Sequence, residues 1–317
     1  MKIALLEPLR VSKELIEELA QPLKDEGHEF IYYDEKTTDV QELAHRSEDA
    51  DIVMIANNPY PKEAFSEAKN LKLINVAFTG VNHVDLAAAS EQGIDVCNAA
   101  GYSNTAVAEL TIGLTIDLFR KMSESHQEMR SETFATPFQG REISGKTVGI
   151  IGTGEIGGQV ARLFTAFGAK VIAYNRSEKE ALKEIGVEYK SLEDVLRESD
   201  IVTIHLPQNS ETIDFIGAEE LALMKESAIL INCARGPIVS TQALADALNA
   251  GQIAGAGIDV FDTEPPLPSD NPLIKADNVV LTPHIAYLTD EAMIARAHIA
   301  FDNTLAYLKG EPQNIVK

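Results

Sequence analysis

The sequence predicts an α/β fold with mostly parallel sheets, arranged in two successive regions. Three observations predict it. Short apolar runs alternate with amphipathic segments. The alternation comes in two series, one over roughly the first 100 residues and one starting near Lys146. A glycine-rich turn directly follows the first strand of the second series. Repeated βα units bury both faces of a parallel sheet under helices.

The first series has candidate strands at 3–6, 52–56, 73–77 and 94–97. Residues 13–23 carry Leu15, Ile16, Leu19 and Leu23 at helical spacing. In the second series the strand candidates are 147–151, 170–174, 201–206, 228–232, 255–260 and 279–282. Helix-compatible segments lie between them at 156–167, 192–198 and 242–249. Ser191 with Asp194 resembles a capping box at the start of the 192–198 helix. The final segment, 289–308, reads as a long helix with no sheet of its own, so it is expected to pack back on the first region.

A chain of 317 residues accommodates about two domains of roughly 150 residues. Its 27 Lys and Arg against 49 Asp and Glu give a net charge of −22. Such a chain repels nucleic acid and anionic lipid, so neither is expected as a partner. The apolar run at the start meets Glu7 and Pro8 too soon for a signal peptide. No later stretch has the length and freedom from charge of a membrane span. A cytoplasmic location is expected. Cys97 and Cys233 form neither a disulfide framework nor a zinc motif. His83 and Asp85 lack the further ligands of a metal site, and no metal is expected.

The turn Gly152-Thr153-Gly154-Glu155-Ile156-Gly157 has the pattern G-x-G-x-x-G between a strand and a helix. In that context Gly152 permits the tight turn and Gly154 lets the backbone approach a pyrophosphate. Gly157 permits close helix packing. The helix N-terminus offers N–H groups to phosphate oxygens, so dinucleotide binding is expected.

Three more segments stand at strand ends of the second region, where ligands of open α/β sheets bind. Arg235, in Asn232-Cys233-Ala234-Arg235-Gly236, has the planar fork that clamps a carboxylate. By position alone it is as readily a solvated surface Arg. The acids of Asp259-Val260-Phe261-Asp262-Thr263-Glu264 are, in isolation, ordinary solvated groups. His284, in Thr282-Pro283-His284-Ile285-Ala286, is either a structural or a catalytic histidine. Together, Arg, Glu and His facing a dinucleotide suggest hydride transfer with His as acid and base. A neighbouring carboxylate suits this by raising the imidazole pKa. His28, His45, His126 and His298 read as surface residues, and His205 as structural.

These segments, in this order and over essentially the whole chain, resemble the D-isomer-specific 2-hydroxyacid dehydrogenase family. Thr79-Gly80-Val81-Asn82-His83-Val84-Asp85 and Val107-Ala108-Glu109 look like its first-domain loop and hinge-helix motif. The resemblance implies two Rossmann-like domains with the active site in an interdomain cleft. Residues 1–100 plus 287–317 would bind substrate and 101–286 the dinucleotide. The chain would cross between domains twice, which suits closure around substrate.

It further implies that Arg235 binds the substrate carboxylate, with backbone N–H groups near Thr79 and Gly80. His284 would protonate the carbonyl oxygen and Glu264 would hold the imidazole. Asp259 would orient the nicotinamide carboxamide, and Cys233 and Ala234 would line the nicotinamide site. The remaining cofactor site would comprise Val107, Gly152, Gly154, Glu155, Ile156, Gly157, Asn175, Arg176, Ser177, Pro207, Thr212, His284 and Ala286. The helix near 104–122 resembles the family's dimerisation element, so a homodimer is expected.

The chain departs from the common pattern at Ser240, at Gln208-Asn209 and at Asn175. At the last of these, NAD-preferring folds carry an acid for the ribose 2′-OH. Here Asn175-Arg176-Ser177 offers donors instead, so NADP(H) is expected to be preferred, with NAD(H) as the other usable form. Members acting on 3-phosphoglycerate place Arg in the first-domain loops. Residues 56–59 and 75–77 contain no cation, so a small or apolar 2-oxo acid is expected. The expected activity is NAD(P)-dependent interconversion of a 2-oxo acid and a D-2-hydroxy acid. The alternative is a dinucleotide-sensing, corepressor-like binding protein on the same fold, and formate or phosphite oxidation is a further chemistry within the family.

Overall fold

In a computed structural model, residues 1–131 and 138–316 are described. The chain divides into two compact units, Met1–Ser103 with Leu288–Lys317, and Asn104–Tyr287.

The first unit holds β1 (Lys2–Leu5), α1 (Lys13–Asp25), β2 (Glu29–Tyr32), α2 (Val40–Ser47), β3 (Ile52–Ile55), β4 (Leu73–Val76), α3 (Leu86–Glu91) and β5 (Asp95–Asn98). Its strands are all parallel, in the order β2-β1-β3-β4-β5. Helix α1 starts where the Ser12 hydroxyl accepts from Leu15 N–H, and it buries Ile16, Ala20 and Leu23. Strand β2 escaped the sequence reading because it is a short, half-exposed edge strand.

The second unit opens with α4 (Asn104–Arg120) and α5 (Met122–Arg130). The glycine-rich turn joins β6 (Thr147–Ile151) to α6 (Glu155–Ala166). There follow β7 (Lys170–Tyr174), α7 (Glu180–Lys183), β8 (Glu188–Tyr189), α8 (Leu192–Glu198), β9 (Ile201–Ile204), α9 (Ala218–Leu223), β10 (Ile229–Asn232), α10 (Thr241–Asn249), β11 (Gly255–Ile258) and β12 (Val279–Leu281). The sheet order is β12-β11-β10-β9-β6-β7-β8, all parallel. The order reverses between β6 and β9, and the turn after β6 therefore stands at the topological switch point, where such sheets bind ligands. The expected strands at 201–206 and 255–260 end early, at Ile204 and Ile258, because the chain turns to bring His205 and Asp259 to the sheet's carboxyl edge.

The last helix, α11 (Asp290–Leu308), belongs to the first unit, as its lack of a sheet implied. Buried Asn75 on β4 fixes it there, donating from Nδ2 to the Ala300 carbonyl (2.6 Å) and to Thr304 Oγ1 (2.9 Å). The two units repeat one device. Asp51, before β3, accepts from Lys2 N–H and Lys72 Nζ. Asp200, before β9, accepts from Thr147 N–H and Lys225 Nζ. Each aspartate thus closes the start of its sheet's first strand.

Ser191 caps α8 by accepting from Asp194 N–H, while its own hydroxyl donates to the Asp194 carboxylate. His28 is not the unpartnered surface residue that its polar context implied. It lies against the Met1 amino group at 3.1 Å and near Glu26, where the chain start meets the α1–β2 turn. Among the described residues no helix is long and apolar enough to cross a membrane.

Candidate active site

Apart from Val107, every residue of the second unit named above for cofactor or catalysis sits at the carboxyl edge of its sheet or in the turn and first residues of α6. Val107 is buried on α4. In the β6–α6 turn Gly152 has φ +95°, and a Cβ there would lie 2.6 Å from the His205 carbonyl oxygen. At Gly157 a Cβ would lie 2.0 Å from the Gly152 carbonyl oxygen, so the helix start and turn need both glycines. A Cβ on Gly154 would meet nothing within 4 Å. That open side of the turn fits a pyrophosphate approaching the backbone, with the first N–H groups of α6 lacking intrahelical acceptors. His205 supports the turn from below. It is half-buried, its Nε2 lies 2.9 Å from Thr203 Oγ1, and desolvation of the ring pushes its pKa down to about 3, so it is neutral.

Asn175, Arg176 and Ser177 follow β7. Asn175 Oδ1 accepts from Thr153 N–H at 3.1 Å, and its Nδ2 donates to the Ser177 carbonyl at 2.6 Å. Asn175 therefore ties the glycine-rich turn to its own loop, a role the sequence did not show. Arg176 lies 3.7 Å from Glu211, and both side chains are mostly exposed. Glu211 stands in the loop after β9 together with Pro207 and Thr212. The Thr212 hydroxyl donates to the Pro207 carbonyl at 2.7 Å and so shapes that loop.

The loops after β10, β11 and β12 carry the ionisable groups. Asn232, at the end of β10, folds the first of them. Its Oδ1 accepts from Ala234 N–H and its Nδ2 donates to the Arg235 carbonyl, each at 3.0 Å. Arg235 Nη1 donates to the Ala234 carbonyl at 2.6 Å. Gly236 is obligatory, because a Cβ there would fall 2.0 Å from the Phe261 carbonyl carbon. That close approach joins the Arg235 loop to the Asp259–Glu264 loop.

Asp259 is fully buried and fixes the third loop. Its Oδ1 accepts from Thr282 Oγ1 (2.6 Å) and Ile285 N–H (2.9 Å), and its Oδ2 from Ala286 N–H (2.9 Å). Burial raises its carboxyl pKa, and these donors oppose the rise. Asp259 thus holds the segment on either side of His284. His284 itself has φ +53°, a left-handed conformation unusual for a side chain of this size, which the three bonds to Asp259 stabilise. Its Nδ1 lies 2.9 Å from both oxygens of Glu264, and the Tyr287 ring meets the imidazole edge-on at 5.3 Å. The hydrogen bond from His284 holds the Glu264 carboxyl below the usual range, and Arg235 adds to that effect. Arg, Glu and His therefore converge in the second unit. Thr282 and Asn232, which the sequence reading did not name as site residues, position them. Cys233, also on this edge, is buried, and burial raises its thiol pKa.

Residues 112–286 match the family model described as "D-isomer specific 2-hydroxyacid dehydrogenase, NAD binding domain". The chain belongs to this family. The dehydrogenase is 36% identical over 296 residues to a hydroxypyruvate reductase of Blautia hydrogenotrophica, covering 91% of this chain and 92% of that protein. It resembles the structure of the acyclic imino acid reductase Bsp5 in complex with NADPH and D-Arg, at TM-score 0.87, 30% identity and full coverage of both chains. It also resembles D-lactate dehydrogenase of Aquifex aeolicus complexed with NAD and lactic acid, at TM-score 0.83 and 30% identity, covering 100% of this chain and 99% of that one. The dehydrogenase is an oxidoreductase that uses a nicotinamide dinucleotide and acts on small 2-oxo or 2-hydroxy acids. The binding-protein alternative gains no support from these relatives.

In the first unit, Thr79 and Gly80 follow β4, and the Thr79 carbonyl accepts from Asn98 Nδ2 at 2.8 Å. The adjacent 56–58 segment is held by buried Glu7, whose Oε1 accepts from Ala56 N–H (2.7 Å) and Asn58 N–H (3.1 Å). Residues 56–59 and 75–77 carry no cation of their own. Lys36, distant in sequence, brings its Nζ to 3.4 Å from Asn57 Oδ1. Among the described residues no cluster of His, Cys, Asp and Glu is suited to hold a metal ion.

Proposed function

We propose that the dehydrogenase reduces a small 2-oxo acid to the D-hydroxy acid, with His284 as proton donor, Glu264 as its partner and Arg235 as carboxylate clamp. The carrying observation is the pair of 2.9 Å contacts between His284 Nδ1 and the Glu264 carboxylate. That carboxylate accepts from Nδ1–H and so fixes the orientation of the ring, leaving Nε2 to give its proton to the carbonyl oxygen. The guanidinium of Arg235 meets the substrate carboxylate with two parallel hydrogen bonds and draws electron density from the adjacent carbonyl. Backbone N–H groups at Thr79 and Gly80 are further carboxylate donors. A bound reduced nicotinamide supplies the hydride. In oxidation His284 takes the proton back.

We assign the first unit to substrate and the second to the dinucleotide. The pyrophosphate is assigned to Gly152, Gly154, Glu155, Ile156 and Gly157. Val107, Pro207, Thr212, Cys233, Ala234, Asp259, His284 and Ala286 complete the cofactor site, with Asp259 on the carboxamide. Lys36 beside Asn57 weakens the earlier case for an apolar substrate and favours a small polar one, in keeping with the hydroxypyruvate and glyoxylate reductases among the relatives. A homodimer built on α4 and α5 is supported by α5, which buries none of its own residues and exposes Met122 and Met129. Two unpaired, buried cysteines fit a reducing compartment, hence the cytoplasm.

NADPH is the preferred reductant in this reading, because Asn175-Arg176-Ser177 lacks the acid that would repel a 2′-phosphate. The variant Asn175→Asp with Arg176→Ala should move preference toward NADH. The new carboxylate keeps the acceptor for Thr153 N–H and adds the repulsion. A charged hydrogen bond is worth about 1.5–3 kcal/mol, so the ratio of kcat/KM for the two cofactors should shift about 10- to 150-fold. Steady-state rates with NADH and NADPH over a panel of 2-oxo acids test both the activity and the preference. A wild-type enzyme favouring NADH would overturn the preference, and no turnover of any 2-oxo acid would overturn the activity.

A further inference from the structure

The Tyr189 hydroxyl occupies a junction that the reaction chemistry does not use. It lies 3.0 Å from Thr153 Oγ1 and accepts from Lys179 N–H at 3.1 Å. Thr153 is the fully buried middle residue of Gly152-Thr153-Gly154. Lys179 closes the loop that begins at Asn175, and its Nζ reaches Glu155, the first residue of α6, at 3.3 Å. The same Thr153 donates its N–H to Asn175 Oδ1 at 3.1 Å. Two ties thus run from one residue of the glycine-rich turn to both ends of the 175–179 loop. One ends on Asn175 and the other passes through Tyr189 to Lys179.

Tyr189 can serve this way because of where it is held. It sits on the short edge strand β8, in register with Ala173 of β7, and Lys190 N–H donates to the Ala173 carbonyl at 2.9 Å. Its ring packs against the apolar cluster under α6, so the hydroxyl emerges from a fixed base. A phenol accepts from one group while donating to another, which is the chemistry needed to bridge an amide N–H and a threonine hydroxyl.

We infer that Tyr189 is a positioning residue that sets the distance between the pyrophosphate turn and the ribose-reading loop, and so tunes discrimination at the ribose 2′ position. This rests on the assignment of Gly152–Gly157 to the pyrophosphate and of Asn175–Ser177 to the 2′ group. Tyr189 acts through Thr153 and Lys179. A 2′-phosphate demands closer placement of Arg176 and Ser177 than a 2′-hydroxyl does. Loosening the loop therefore weakens the phosphorylated ligand selectively. The pyrophosphate contacts and the chemistry at His284 stay as they were.

The test measures binding of 2′,5′-ADP and of 5′-AMP by calorimetry, with no reaction involved, in wild type and Tyr189→Phe. Removal of one neutral hydrogen-bonding group should change the ratio of the two affinities about three- to tenfold. Turnover at saturating cofactor should stay within about twofold. Thr153→Val should reproduce the ratio change and Thr153→Ser should restore the wild-type ratio. The double variant Tyr189→Phe with Thr153→Val should add little to Tyr189→Phe alone, because the bond that Thr153→Val removes is already gone. A merely structural tyrosine would lower the melting temperature and weaken both ligands equally, leaving the ratio unchanged, and that result overturns the inference. If Tyr189→Phe does not fold, the Thr153 pair decides on the same readout. Wild type that binds neither fragment would overturn the underlying site assignment, and the inference with it.

Discussion

His284→Ala should lower kcat by about 100-fold or more while leaving dinucleotide affinity within a few-fold of wild type. General acid–base catalysis by a positioned side chain is typically worth 10²- to 10⁴-fold, and the full effect is expected where one imidazole carries the only proton. The expectation is specific to the chemical step. The Glu264 contact, the left-handed backbone at His284 and the three bonds to Asp259 all serve to place this ring. The glycine-rich turn lies on a different strand and should still bind its ligand. Stopped-flow reduction of a 2-oxo acid, paired with fluorescence titration of the reduced dinucleotide, separates the two. Near-normal turnover in the variant would remove His284 from the mechanism.

Arg235→Lys should raise KM for the 2-oxo acid and lower kcat together. Lysine keeps the charge but loses the planar fork, so it can neither hold a carboxylate at two points nor polarise the neighbouring carbonyl from a fixed place. Losing one charged hydrogen bond costs about 1.5–3 kcal/mol, which puts the drop in kcat/KM at about 10- to 150-fold. Arg235→Ala should do more, since it also leaves the anion without its counter-charge. Wild-type kinetics in the alanine variant would contradict the carboxylate clamp. Because Asn232 accepts and donates around residues 234 and 235 through its own side chain, the loop backbone should persist in either variant, and unchanged melting temperatures would confirm that the losses are local.

Much of this was legible before folding is considered. The inner strands β9, β10 and β11 of the second unit are buried on both faces and read as apolar runs, and the polar groups Asn232 and Asp259 end two of those runs. Gly152 and Gly157 were legible because their spacing encodes contacts inside a single turn. What stayed hidden depends on residues distant in sequence. Lys36 is an exposed lysine between β2 and α2, and only the fold places it beside Asn57. Tyr189 stands on an edge strand that the sequence does not show, and its hydroxyl gains meaning only when Thr153 and Lys179 arrive beside it. Asn175 reads in the sequence as a donor to the cofactor, and only the fold shows that its amide also ties Thr153 N–H to the Ser177 carbonyl. The edge strands β2 and β8 are too short and too polar to give a period-two signal.

The handedness of the product tests the proposed reaction most directly. Pyruvate or hydroxypyruvate should be reduced with NADPH and the resulting hydroxy acid resolved by chiral chromatography. The arrangement of Arg235, Glu264 and His284 in this family predicts reductant consumption with accumulation of the D-enantiomer alone. Accumulation of the L-enantiomer, or reductant that stays unconsumed across the 2-oxo acids, would contradict it.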